Sequence, residues 1–142
     1  KSLNLEYWQS MKQFFEDNGT FLKHQKPAPQ HWTSFAIGKS NFSMAAISSI
    51  RDNFIRVEFI IGTVNAKELF KILKTKYEEE SKLALGENII WDELPDKKVS
   101  LVSIRKDVNV SDKSDWGSQH LWIKDNLEAF DKFFRPKIKS LS

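Results

Sequence analysis

The stretch Asn88 to Lys98, NIIWDELPDKK, gathers three carboxylates, Asp92, Glu93 and Asp96, beside Trp91 and two lysines, Lys97 and Lys98. Glycosidase-type acid/base chemistry needs two carboxyls held on opposite sides of one substrate. Asp92 and Glu93 are neighbours in sequence, and successive side chains of a strand point to opposite faces of its sheet. They cannot act on one substrate together. The stretch reads as a strand end running into a turn at Pro95 and Asp96.

Metal-dependent phosphodiester cleavage is the next chemistry to weigh. Restriction-endonuclease-like cores share the α-β-β-β-α-β order that this chain presents. They need an acid on the second core strand, then Asp/Glu-x-Lys on the third, so that carboxylates hold Mg²⁺ while the lysine supports the attacking water. Here the third strand offers Glu58-Phe59-Ile60, with isoleucine where lysine is needed, and the second, NFSMAAISSI, carries no acid. A divergent nuclease using Glu58 is therefore kept as an alternative. His24, His31 and His120 show no metal-ligand spacing. His24 and His31 fall in or beside a proline-containing loop and read as solvated, whereas His120 reads as a half-buried, hydrogen-bonded imidazole. GKSN (Gly38 to Asn41) lacks the glycines and the following helix of a phosphate loop. No serine is marked as a nucleophile. No catalytic, cofactor or metal-ligating residue is assigned.

Binding chemistry has more to work with. Arg56 and Arg105 are expected on an exposed sheet face, with Trp91 beside them if its strand takes that register. Aromatics interleaved with arginine on an open sheet can stack bases while the cations meet phosphates. Glu58 would share that face and repel phosphate. The end of the chain, with Lys132, Arg135, Lys137 and Lys139, is the locally basic region, although cations also stabilise a helix C-terminus. The candidate binding surface is thus Arg56, Glu58, Trp91, Arg105, Lys132 and Arg135.

Positioning these groups requires a core, and the composition can supply one. At 142 residues the chain is long enough for one domain that buries roughly 70% of its unfolded surface. Aromatics make up 13%, mostly phenylalanine, which suits dense packing of large rings or a hot-spot patch for a partner. The absence of cysteine excludes disulfides, thiolate zinc sites and cysteine nucleophiles, and fits a reducing cytoplasm. The net charge is only +3, and no apolar run approaches the ~20 residues of a membrane span. No signal-peptide pattern is visible. Starting at Lys1 rather than Met, the chain is expected to be processed or cut from a longer one.

Hydrophobic spacing predicts an amphipathic helix from Asn4 to about Lys23, shortened if Gly19 ends it, then a polar loop through Pro27 and Pro29. Strands are expected at Thr33–Gly38, Asn41–Ile50 and Phe54–Gly62, the last with Ile55, Val57, Phe59 and Ile61 facing one way and Arg56 and Glu58 the other. Asn65 should cap a helix over Ala66–Leu85 that Gly86 stops. Strands at Asn88–Leu94 and Lys97–Asp107 follow. A long helix capped by Ser114 or Asp115 should close the chain, kinked or broken about Phe133–Arg135 by Pro136. The expected fold is α+β in the order α-β-β-β-α-β-β-α, a five-stranded, mainly antiparallel sheet with its helices largely on one face.

Four segments read together carry a family resemblance: YWQSMKQFF near the start, RVEFII on the third strand, LALGENIIWDELPDKKVSLVSIRKDVNV in the middle, and DWGSQHLWIKDNLEAFDKFFRPKI at the end. From Tyr7 to Ile138 the chain resembles a bacterial and archaeal family of unknown function. The resemblance implies a module that often forms the C-terminal part of a longer chain, behind an endonuclease-like region, with some members in DNA-related or defence contexts. It transfers no catalytic residue. The expected role is a non-catalytic accessory module contacting nucleic acid or a protein partner, with a dimerisation domain as a further alternative.

Overall fold

The computed structural model describes residues 2–141. Helix α1 spans Leu3–Asn18 and starts where Ser2 Oγ accepts the Leu5 amide at 3.2 Å. It stops at Gly19, whose φ of +74° is open to glycine at no steric cost. The expected extension to Lys23 therefore does not form. Strands β1 (Trp32–Ala36), β2 (Phe42–Ser49) and β3 (Phe54–Ile61) follow as a meander. Helix α2 covers Ala66–Leu85, the bounds its periodicity predicts, although Asn65 makes no side-chain cap bond.

Strand β4 is cut to Ile90–Asp92, and β5 runs over Ser100–Asp107. Both are shorter at the turn than expected, because the backbone of 93–99 bonds to a lysine rather than to a neighbouring strand. A 3-10 turn at Lys113–Asp115, capped by Asp112, leads into α3, Trp116–Lys139. Asp115 holds the N-cap position but spends its carboxylate on Gln119 and Ser118. The expected break at Phe133–Arg135 is absent. Pro136 lies within one turn of the helix end, so it removes a single bond to the Lys132 carbonyl, while Phe133, Phe134 and Ile138 stay buried on either side.

The sheet order is β1-β2-β3-β5-β4, with every pairing antiparallel. The pleat sends Phe35, Met44, Ala46, Val57, Phe59 and Val102 to one face, where all three helices pack in one aromatic-rich core. Among the described residues the opposite face carries no helix. Its centre is a small apolar group, Ala45, Ile47, Phe54 and Ile60. The chain is α+β in the order read from its sequence, with the helices on one side of a five-stranded sheet.

Candidate nucleic-acid interface

The six candidate surface residues separate into three places. Arg56, Glu58 and Arg105 lie on the helix-free face, as alternation along β3 and β5 requires. Arg56 and Arg105 stand directly opposite each other across the strands, an unfavourable pairing of like charges that neighbouring carboxylates offset. Arg56 Nε donates to Glu58 Oε2 at 2.8 Å, and Arg105 Nε donates to Asp107 Oδ1 at 3.1 Å. Both guanidiniums cover the Phe54 ring, at 5.2 and 4.0 Å from its centroid. This face neutralises its own charge.

Trp91 is not on that face. Register pairs it with Val102, so its ring turns under the helices. There it meets Phe70 at 5.9 Å and Phe134 at 6.0 Å, and its indole N–H donates to Ser81 Oγ at 3.0 Å. The alternative register would bury Ile90 and expose the indole. Covering the larger ring removes more apolar surface, and Ser81 satisfies its polar atom. Asp92 takes the open face, whereas Glu93 turns toward Lys71 of α2, so the two acids are separated. Asp92 and Glu58 share the open face but sit roughly 12 Å apart by strand spacing, with Leu101 between their rows. Among the described residues no three His, Asp or Glu side chains gather to hold a metal ion.

Lys132 and Arg135 reach the third place, where the end of α3 meets the β1–β2 turn and the loop after α1. Arg135 is oriented by Asp131, one helical turn earlier and buried: Nε reaches Oδ1 at 3.0 Å and Nη2 reaches Oδ2 at 2.8 Å. The pairing raises the pKa of the guanidinium, chiefly through these hydrogen bonds. Nη1 is left over, pointing at Gly38. A Cβ on Gly38 would collide with it, and Gly38 has a φ of +85°, so the turn suits glycine twice over.

Two depressions meet at Gly38 and Arg135. One, of about 260 Å³, is lined by Ile37, Gly38, Lys39, Arg135, Ile138 and Lys139. The other, of about 330 Å³, runs beside β1 past Phe21, Lys23, Ser34 and Ala36. Lys132 Nζ sits 6.0 Å from the ring of Phe21, which is 51% exposed. Lys23, Lys39, Arg135 and Lys139 thus line the two depressions with one acid, Asp131, itself paired. Lys39 and Lys23 carry no local sign of this role in the sequence, being about a hundred residues from their partners; only the basic chain end pointed here.

His24 and His120 depart from expectation, whereas His31 does not. His24 is half-buried between Phe15 and Phe35, with Nδ1 2.8 Å from the Gln25 carbonyl, while His31 is exposed. His120 is fully buried among Tyr7, Phe14 and Trp116, and its Nε2 meets no hydrogen-bond partner among the described residues. Burial, with a smaller contribution from His24, lowers its pKa from 6.5 to about 4. The neutral form is therefore favoured by folding. That stabilisation is complete above pH 6.5 and is lost as pH falls through about 4. Urea unfolding across this window should show about 3 kcal/mol less stability at the acid end than His120→Leu shows over the same change. Equal pH dependence in the two proteins would contradict it.

An α+β module with all its helices on one side and a cationic depression at one sheet corner is the class these features define. The chain belongs to the family described as Domain of unknown function (DUF4268), whose model matches residues 3–138. No curated protein and no solved structure matches it. No helix among the described residues is long and apolar enough to cross a membrane.

Proposed function

We propose that this chain is a non-catalytic accessory module that binds nucleic acid for a larger, nuclease-like or DNA-associated prokaryotic protein. The observation that supports it is the convergence of Lys23, Lys39, Arg135 and Lys139 on the two depressions that meet at Gly38, with Lys132 beside the exposed ring of Phe21 at the margin. Cations from three separate chain segments can follow a phosphate backbone, and Phe21 offers a face on which a base can stack. The helix-free sheet face, with its internally paired arginines, has no comparable surplus of positive charge.

Fluorescence anisotropy with labelled single- and double-stranded DNA and RNA over a range of salt tests this reading. Binding should weaken steeply with salt. The double variant Lys39→Ala/Lys139→Ala should lower affinity about tenfold and reduce the salt slope by about 2, whereas Arg56→Ala should leave both unchanged. Absence of salt-sensitive binding at micromolar protein would overturn the proposal. Metal-dependent cleavage abolished by Glu58→Ala would replace it with the nuclease reading.

A further inference from the structure

The outer edge of β1 has a backbone polarity that can be assigned from the register. The Ser48 amide donates to the His31 carbonyl at 2.9 Å, and these two residues are directly opposite in the β1–β2 register. Hydrogen-bonded pairs in an antiparallel ladder recur every second residue. Thr33 and Phe35 therefore bond to β2, while the N–H and C=O groups of Trp32, Ser34 and Ala36 point away from the sheet. The next ladder agrees: Gly62 donates to the Asn41 carbonyl at 2.7 Å, which sets the Ser43, Ala45 and Ile47 positions of β2 toward β3 in the same alternation.

 Among the described residues the β1 edge is thus an unpaired ladder beside a depression, and β4, the other edge, is only three residues long. Natural sheets that leave a strand edge open commonly blunt it with proline or lysine at the outward positions, and β1 has neither.

What lies along this edge limits the occupant. The depression of about 330 Å³ runs beside Ser34 and Ala36, walled by Phe21 and Leu22, with Lys23 and Arg135 on its lining. Its one acid, Asp131, is held by Arg135. We infer that β1 accepts an extended, acidic peptide segment of a protein partner as a sixth strand. Main-chain bonds to Ser34 and Ala36 would supply the pairing. Side chains of the added strand alternate between faces, so one set meets Phe21 and Leu22 and places carboxylates against Lys23 and Arg135. This site goes beyond the nucleic-acid reading, because it depends on main-chain groups that phosphate binding does not use.

Selection from a random peptide-display library against the wild-type chain tests the inference. Recovered peptides should combine β-branched residues with Asp or Glu at alternate positions. Ser34→Pro removes an outward N–H without touching the β2 ladder, and proline is tolerated at such edge positions. It should weaken the selected peptide at least ~10-fold, while leaving nucleic-acid binding unchanged. N-methylation of the peptide guards against misfolding of that variant: methyl groups on one alternate set of amides should abolish binding, and on the other set should be tolerated. Failure to recover any peptide, equal binding by Ser34→Pro, or indifference to the phase of methylation would each overturn the inference. Retained nucleic-acid binding in that event would leave the proposed function standing.

Discussion

Lys67→Met is expected to lower the stability of the fold by about 3 kcal/mol and to loosen the 93–99 turn before the rest of the sheet. Lys67, in the first turn of α2, donates from Nζ to the carbonyls of Glu93, Leu94 and Val99, each at 2.7 Å, with Ser100 Oγ at 3.1 Å. Ser100 Oγ in turn donates to the Glu93 carbonyl at 2.7 Å. One ammonium therefore ties together three carbonyls of the turn, of which that of Leu94 also accepts the Lys97 amide at 2.9 Å. Leu94 is held in the same turn at a φ of +52°, a left-handed conformation that a leucine adopts at a cost. Methionine preserves the length of the side chain but leaves the carbonyls facing a methyl group. Urea unfolding should report the loss, and amide exchange should quicken first in β4. A stability change under ~1 kcal/mol would show that water can replace the ammonium.

Phe134→Ala should cost more, about 4 kcal/mol by the same measurement. Phe134 is fully buried and stacks on Phe59 with ring centroids 4.0 Å apart. It also meets Phe130, Phe133 and Trp91 edge-on, at 5.8, 4.9 and 6.0 Å. The ring thus ties α3 to β3 and to the short edge strand β4. Its removal opens a cavity walled by other rings, which are too large and too constrained to refill it. Phe14→Ala, at a partly buried position of α1, is the reference and should cost much less. Similar losses from the two would contradict the central role of Phe134.

Much of the fold was legible because it rests on local periodicity. The 20 residues of α2 stand between Asn65 and Gly86, where the capping pattern places them. The alternation along β3 correctly separates Arg56 and Glu58 from Ile55, Val57 and Phe59. Errors arose where a local preference was outweighed. Leu22 prolonged the apolar spacing of α1, but Gly19 releases the chain, and Leu22 packs from the loop instead. Pro136 signalled a break, but the buried residues on either side of it keep α3 continuous. His24 had the setting of a loop residue, yet it is lodged between two phenylalanine rings contributed by α1 and β1.

The candidate site was less legible. Lys132 and Arg135 could be read from the basic chain end, but their convergence with Lys23 and Lys39 could not. Charges carry no periodicity that reports a neighbour about a hundred residues away. Trp91 shows the same limit within a strand. Alternation states that Ile90 and Trp91 face opposite ways, and that much the sequence by itself determines, along with the element order and the absence of thiol chemistry. Which of the two is covered was decided by the tertiary structure, because only α2 and α3 together provide the Phe70 and Phe134 rings and the Ser81 hydroxyl that make burial of the indole favourable.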